Sequence, residues 1–313
     1  MRVARLSFAA VVACAATASF AATDVASAFK EGKLDGRIRA HYMAADYVDN
    51  SSTGIDKLDS KGLAVGGSLI YKTASLHGFS AGVGAYTTQN PGGITENEGT
   101  NANYVSNKDL FWDGPSNSPY NYGKGFSVLA QAYIQYDIAK TTVKAGRMLL
   151  TNPFMNPNDT KMIPTAFEAY TVTTKDLSDT EITATHAAKY KERRKENFST
   201  MSDSADTPDA IKAYYHAEGN TGTHDPAGVS ILGVKNSSIK GLELQAWYMQ
   251  WPSIVAQGIL EANYSVNFGD FGLTLGGRYF KQYDRGAGDI IKPMTGASGS
   301  YKLKGDDNDK IDT

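Results

Sequence analysis

The chain has almost no cysteine, which excludes two kinds of chemistry. Cys14 is the only cysteine among the 313 residues, and it lies in an apolar run near the beginning of the chain. A lone thiol cannot build a disulfide framework, and removal of the leading segment would also remove all thiolate chemistry. We therefore expect packing and hydrogen bonds to hold the fold without disulfide cross-links.

Long apolar runs are missing after the first residues. Residues 1–21 contain two arginines and then an apolar run, with Ser19 and Ala21 as the small residues of a cleavage site. This pattern predicts a secretory signal peptide that ends at Ala21; lipoprotein processing at Cys14 is the competing interpretation. No later run reaches the ~18 apolar residues of a membrane helix. The mature chain is therefore expected to be residues 22–313, without a helical membrane span.

An excess of positive charge is also absent. Without Arg2 and Arg5, the basic residues fall from 31 to 29 against 33 acidic residues, which gives a net charge near −4. Proteins that bind nucleic acid usually carry a basic stripe, so no nucleic-acid partner is expected.

Catalytic and metal-binding motifs are missing as well. The five histidines lie in separate segments, without the spacing of a zinc site or a nucleophile elbow. The acidic run at residues 306–310 lacks the glycine and the distal glutamate of an EF-hand loop. We therefore expect no cofactor and no enzymatic activity.

Residues 189–196, KYKERRKE, carry charges of both signs and are interpreted as a solvated loop base that could bind lipopolysaccharide phosphates.

Glycine and aromatic residues are abundant instead. The chain has 31 glycines, 18 tyrosines and 12 phenylalanines, with a mean hydropathy of −0.35, and this composition is typical of many strands joined by tight turns. Alternation of apolar and polar residues predicts about eleven strands, with a weak twelfth at residues 297–304. The clearest alternation covers residues 126–140, where Val128, Ala130 and Ile134 are predicted on the apolar face.

The connections between these strands are alternately short and long, as in an up-and-down sheet. Short turns at one end and long loops at the other are typical of outer-membrane barrels. Most of the predicted strands reach the ~9 to 11 residues that a tilted membrane strand needs. The sequence therefore predicts an all-β fold, a transmembrane antiparallel up-and-down β-barrel whose apolar face meets lipid and whose polar face lines a lumen. A soluble β-sandwich would invert the two faces.

Two stretches resemble the OprD-type outer-membrane porins. Residues 28–47, AFKEGKLDGRIRAHYMAADY, are similar to that family's first strand, and residues 143–170 are similar to its fifth strand and third loop. In the second stretch the matching residues are Gly146, Arg147, Thr151, Pro153, Asp159, Met162, Pro164, Phe167 and Glu168. Lys161 stands where the family usually has arginine, and Ala169 where glycine is common. The resemblance implies a barrel of about 18 strands, within the range of such barrels. With only 11 to 12 strands and a polar end, residues 22–313 are expected to be a partial barrel domain.

The resemblance implies a porin in the outer membrane of a Gram-negative bacterium. Small polar or carboxylate-bearing solutes would diffuse through it passively and selectively. The expected partners are these solutes, outer-membrane lipid and lipopolysaccharide, and the barrel assembly machinery, and the protein could be a monomer or a homotrimer. Two other functions stay open: a barrel enzyme of phospholipase or protease type, for which only His186 and nearby acids are candidates, and a surface β-sheet ligand-binding protein.

The candidate site residues are polar side chains that alternation places on the lumen face. Fixed cations there would attract anionic solutes, although each could instead simply pair across strands. Strict alternation from Val143 would send Arg147 to the other face, so a bulge or the end of the strand must intervene. Residues 151–164 contain three prolines and cannot continue a strand. They resemble the family's constriction loop, with Asp159 and Lys161 as its acidic and basic sides. The pore-lining candidates are Arg37, Arg39, Lys144, Arg147, Arg278, Gln135 and Glu261.

Overall fold

The structure is a computed structural model that describes residues 22–45, 60–93, 95–97, 110–111, 123–201, 228–252, 254–269 and 271–285. The predicted signal peptide, the predicted strand at residues 297–304 and the acidic run at residues 306–310 lie outside these residues. No helix in the described ranges is both long and apolar enough to cross a membrane.

The described residues form an antiparallel sheet. The strands are β1 (Lys33–Ala45), β2 (Ser60–Lys72), β3 (Phe79–Gln89), β4 (Thr95–Asn97), β5 (Phe126–Ile138), β6 (Thr141–Met148), β7 (Ala166–Thr174), β8 (Thr180–Lys191), β9 (Ser199–Thr200), β10 (Val229–Ile239), β11 (Leu242–Trp251), β12 (Val255–Phe268) and β13 (Phe271–Asp284). Hydrogen-bonded neighbours follow the order β1-β2-β3-β5-β6-β7-β8-β10-β11-β12-β13, with β4 on β2 and β9 on β8. Since the long strands pair in chain order, the predicted all-β, up-and-down arrangement is confirmed.

The chain packs as two compact units. Unit 1 comprises Met1–Ile134, Gly146–Phe167 and Lys191–Phe198, and unit 2 comprises Gln135–Ala145, Glu168–Tyr190 and Ser199–Thr313. Unit 1 contains a cluster of buried, mostly apolar side chains, which we call the unit 1 core. Its members are Ala64, Tyr86, Leu110, Phe111, Phe126, Ala130, Met162, Ile163 and Ala166.

In unit 1, strand β1 has the two faces that the alternation predicts. Ile38 and Tyr42 are 68% and 46% exposed, whereas Arg37 and Arg39 are half-buried. The register with β2 places Ile38 opposite Gly67 and Arg39 opposite Gly66. A slip of one residue would move every side chain of the strand to the opposite face. We call the side with Ile38 and Tyr42 the apolar face and the side with Arg37 and Arg39 the polar face.

In unit 2, the β12–β13 hairpin keeps its predicted faces but has a shorter turn. Phe268 pairs directly with Phe271, so only two residues form the turn, rather than the four of Gly269–Gly272. Gly269 takes a φ of 59°, in the left-handed region that tight hairpin turns require and glycine adopts without strain. Leu260 pairs with Tyr279 on the exposed apolar face.

The predicted face is wrong for Val128 and Ala130 in β5. Ala130 is fully buried in the unit 1 core, and Val128 packs against that cluster. The next residue, Gln131, donates from Nε2 to the hydroxyl of the core residue Tyr86 at 2.7 Å. The alternation therefore changes phase between residues 130 and 131, after which Ile134 is exposed as predicted. Tertiary packing overrides the simple period of two here.

A helix that the sequence analysis did not predict precedes β1. Helix α1 (Val25–Lys30) begins with a capping box, in which the Ser27 amide donates to Asp24 Oδ1 at 2.8 Å and the Asp24 amide donates to Ser27 Oγ at 3.1 Å. These bonds satisfy amide groups that the first turn leaves without helical partners.

A matched pair of arginine substitutions in β11 tests the two faces. Leu244 is exposed on the apolar face, and Gln245 next to it bonds to Glu243 and Trp247. Leu244→Arg should lower the free energy of unfolding in lipid vesicles, because a cation on the lipid face is poorly solvated; the loss should be smaller than the ~2 to 4 kcal/mol of a midplane position, since Leu244 lies close to the β10–β11 turn. Gln245→Arg should cost less, since its charge lies beside Glu243. Equal losses in the two variants, measured by denaturant unfolding, would reject this assignment of faces.

Candidate functional site

The β6–β7 loop, residues 149–165, is anchored in unit 1 by apolar side chains. Met162 and Ile163 are 1% and 2% exposed within the unit 1 core, and Met155 is also buried. Backbone geometry is fixed by Asn152, whose Oδ1 accepts from the amides of residues 154 and 155 at 2.9 and 2.8 Å. The amide of Thr165 donates to the carbonyl of Pro157 at 2.7 Å. This loop is therefore ordered by packing and hydrogen bonds on both sides of its tip.

The loop tip, residues 157–161, presents two charged side chains to the same side. Asn158 has a φ of 47°, a left-handed conformation that asparagine tolerates better than most residues. Exposure alternates along the tip: Asn158 and Thr160 are exposed, whereas Asp159 and Lys161 are half-buried. The acidic and basic residues that were predicted as the two sides of a constriction therefore both turn toward the protein.

Asp159 is bound by both arginines of β1. Arg37 makes a two-pronged ion pair with the Asp159 carboxylate, at 2.6 Å from Nη1 to Oδ2 and 3.1 Å from Nη2 to Oδ1. Arg39 Nη1 donates to Oδ1 at 3.1 Å and approaches the Asp159 carbonyl oxygen at 3.5 Å. Two-pronged guanidinium–carboxylate contacts fix geometry as well as charge. The structure thus brings together Arg37, Arg39 and Asp159, three of the predicted site residues.

Small residues on β2 leave room for this contact. The register places a row of small residues opposite the polar-face residues of β1. The pairs are Arg37 with Ser68, Arg39 with Gly66, His41 with Ala64, and Met43 with Gly62. Because these partners project little from the sheet, a loop can lie close to the strand. Lys161 uses the same space, since its Nζ lies 2.8 Å from Met43 Sδ.

The contact leaves an excess of positive charge at the tip. Arg37 and Arg39 contribute two cations against the one carboxylate that they share on Asp159. The Arg37 and Arg39 side chains are 23% and 14% exposed, and Asp159 is 30% exposed. Water therefore screens the charges of this group only in part.

Arg147 follows a glycine with a positive φ in β6 and contacts an aromatic side chain of unit 1. Gly146 has a φ of 122°, and a Cβ there would lie 2.3 Å from the Ala132 carbonyl oxygen. The guanidinium carbon of Arg147 lies 4.4 Å from the centre of the Phe198 ring, and Phe198 packs against the unit 1 core. That Arg147 lines a lumen stays a prediction.

Residues 189–196 are more ordered than a solvated loop base. Lys191 is fully buried, and its Nζ donates to the carbonyl of Glu192 at 2.8 Å. Arg194 pairs with Glu192 at 3.1 Å, and Arg193 Nη1 approaches Thr160 Oγ1 of the loop tip at 3.4 Å. The interpretation of Lys191 as solvated is therefore wrong. The mixed charges of this run gave no signal of its burial or of the Arg193 contact.

The remaining predicted site residues lie in unit 2, in other local pairs. Arg278 Nε donates to Glu261 Oε2 at 2.6 Å across β12 and β13. Gln135 is buried and donates to Asp137 Oδ2 at 2.7 Å. Lys144 is half-buried on β6. The Arg278–Glu261 pair has the cross-strand character that was the alternative to a selective role, whereas Gln135 and Asp137 lie in the same strand.

One histidine contact bears on the enzyme alternative. His186 Nδ1 lies 3.0 Å from Ser230 Oγ, at directly opposed positions of β8 and β10. Among the described residues no carboxylate contacts the other ring nitrogen, so a serine–histidine–acid triad is not assembled there.

Removal of a loop anchor should destabilise the protein. Ile163→Ala should lower the free energy of unfolding by about 2 to 5 kcal/mol, because it leaves a cavity in the unit 1 core. Val172→Ala, at an apolar side chain that is 40% exposed, is the matched control and should cost less than ~1 kcal/mol. Denaturant unfolding measures both, and equal effects would mean that Ile163 does not anchor the loop.

Comparisons with known proteins agree with this sheet. A family model described as "outer membrane porin, OprD family" matches residues 97–307. Pseudomonas aeruginosa OccK8 (OprE) is similar in structure, with a TM-score of 0.60 and 17% identity over 83% of this chain and 56% of that one. P. aeruginosa OpdK with vanillate has a TM-score of 0.61 and 14% identity over 84% of this chain and 60% of that one. A BenF-like porin from Pseudomonas fluorescens Pf-5 has a TM-score of 0.61 and 13% identity over 83% and 60% of the two chains.

These similarities identify the fold. The sequence identities are too low for the solute preference of a similar structure to be transferred to this chain. The chain spans 56% to 60% of the length of these solved structures. No curated protein sequence matches it.

Proposed function

This chain belongs to the OprD family of outer-membrane porins, and we propose that it conducts small polar solutes passively across the outer membrane of a Gram-negative bacterium. The main support for this proposal is the position of the β6–β7 loop, whose charged tip lies on the polar face of β1. A loop held against the polar side of a barrel wall narrows the water-filled path and puts fixed charges beside a passing solute.

Carboxylate-bearing solutes are the proposed preferred class. Arg37 and Arg39 together carry more charge than the Asp159 carboxylate that they share, and we propose that Lys144, Arg147 and Lys161 also belong to the lining. One of the similar structures is of OpdK with vanillate, which is an aromatic carboxylate. Cations in a narrow lumen with low-dielectric walls raise the local concentration of anions.

The paired residues of unit 2 are proposed to have a milder influence. Arg278 is bound to Glu261, and Gln135 is bound to Asp137, so these groups contribute polarity with little net charge. We propose that they line the path as wall residues. The exposed apolar face would meet outer-membrane lipid, lipopolysaccharide and, during insertion, the assembly machinery. Residues 1–21 would be removed as a signal peptide.

The family assignment favours a channel over a barrel enzyme, because the family and its structural neighbours are porins. The enzyme alternative would have to use the exposed pair of His186 and Ser230. The family assignment likewise favours a channel over a surface ligand-binding protein, because the matched family is described as porins.

Reversal potentials in planar bilayers test this proposal. Under a KCl gradient the full-length protein should conduct, with a preference for chloride. The double variant Arg39→Gln, Arg278→Gln should lose much of that preference, because it removes two cations and leaves Asp159 and Glu261 less neutralised. The effect should shrink at high salt, since the screening length falls to ~3 Å at 1 M.

A matched control removes the same charge elsewhere. Lys30 ends helix α1 and Lys240 lies in the β10–β11 turn, and both are exposed. Lys30→Gln, Lys240→Gln should leave the reversal potential near the unmodified value. Unchanged ion preference in the arginine variant, with conductance intact, would mean that the arginines only support the wall. Absence of any conductance in the unmodified protein would contradict the channel function itself.

A further inference from the structure

The two arginines of β1 already hold a carboxylate, and it belongs to the protein. Arg37 and Arg39 both contact Asp159 Oδ1, Arg37 also contacts Oδ2, and Arg39 also approaches the carbonyl oxygen. A solute carboxylate would make the same kind of two-pronged contact with a guanidinium group. The arginine pair therefore cannot take a solute in this arrangement while Asp159 keeps all its contacts.

We propose that Asp159 is a tethered competitor for the arginine pair, which a solute carboxylate binds by displacing it. The exchange is a non-covalent ion-pair swap: the two guanidinium groups release one carboxylate and accept another, and no proton has to move. This inference rests on the proposed function, because it assumes that carboxylate solutes reach the polar face of β1.

The loop is built so that its tip can move while its base stays fixed. Met155, Met162 and Ile163 are buried on either side of the tip, whereas Asp159 is 30% exposed. The contact of Arg193 with Thr160 is long, at 3.4 Å. Displacement of Asp159 therefore need not disturb the unit 1 core.

Tethering has a consequence for affinity. A group on a short linker competes at an effective concentration in the millimolar range, so a solute should bind the arginine pair with apparent affinity weaker than the pair alone would allow. Weak binding with ready release is what conduction through a selective pore requires. Asp159 would thus keep the arginines from trapping an anion.

Calorimetric titration of benzoate into the detergent-solubilised full-length protein tests the exchange. Asp159→Asn has nearly the same shape without the charge, and it should bind benzoate about twofold to fivefold more tightly than the unmodified protein, the range expected for removal of a partly exposed ion pair. Asp159→Glu keeps a carboxylate and should bind much like the unmodified protein. Circular dichroism and heat-modifiable mobility would show that each variant is folded.

A control separates exchange from a general change in field. Asp35 lies on the same side of β1, two residues before Arg37, and is exposed, about 7 Å away along the strand. Asp35→Asn removes the same charge without freeing the arginines, so it should change benzoate affinity less than twofold. Equal tightening in the Asp35 and Asp159 variants would overturn the exchange, as would unchanged or weaker binding in Asp159→Asn or no binding in any form.

Spin labelling supplies a readout that does not depend on affinity. Cys14 is the only cysteine of the 313 residues, so Thr160→Cys introduces the only label site within residues 22–313. Benzoate should increase the mobility of this nitroxide in the Asp159 background and have little effect with Asp159→Asn, whose tip is already released. An immobile label at saturating benzoate would overturn displacement. Conductance in KCl alone, measured on the same preparation, decides separately whether the protein is a channel.

Discussion

The carboxylate of Asp159, held between Arg37 and Arg39, is the contact on which the arrangement of the site depends. It connects a loop residue to strand residues more than a hundred positions earlier in the chain, and so decides where the loop tip lies. The negative charge of Asp159 also neutralises half of the positive charge of the two arginines. In the proposed channel, both the width of the path beside β1 and its attraction for anions would follow from this one contact.

The sheet makes the contact available through its period of two and its register. Arg37 and Arg39 share a face because one residue separates them, and the β2 residues opposite them, Ser68 and Gly66, are small. Met162 and Ile163 pack in the unit 1 core and thereby hold the loop against this face. Backbone pairing therefore sets the place of the charges, and the core sets the distance at which the loop approaches them.

Sequence alternation was sufficient to predict the long strands, the faces of β1 and the hairpin, and resemblance to the porin family drew attention to residues 151–164, whose role as a constriction stays a prediction. Pairing of Asp159 with the arginines was not predicted, because contacts between distant segments leave no periodic signal. Ala130 was misplaced because tertiary packing changes the phase of β5. Helix α1 was missed although Asp24 and Ser27 have capping-box spacing. Lys191 was missed because burial of a lysine among carbonyl groups contradicts its usual exposure.

A double-mutant cycle between Arg39 and Asp159 tests most directly whether this contact holds in the folded protein. The free energy of unfolding in lipid vesicles would be measured for the unmodified protein, Arg39→Gln, Asp159→Asn and the double variant, because the cycle isolates the pairwise interaction. We expect a favourable coupling of about 0.5 to 1 kcal/mol, at the upper end for partly exposed ion pairs. Additive effects of the two substitutions, with no coupling, would contradict the account.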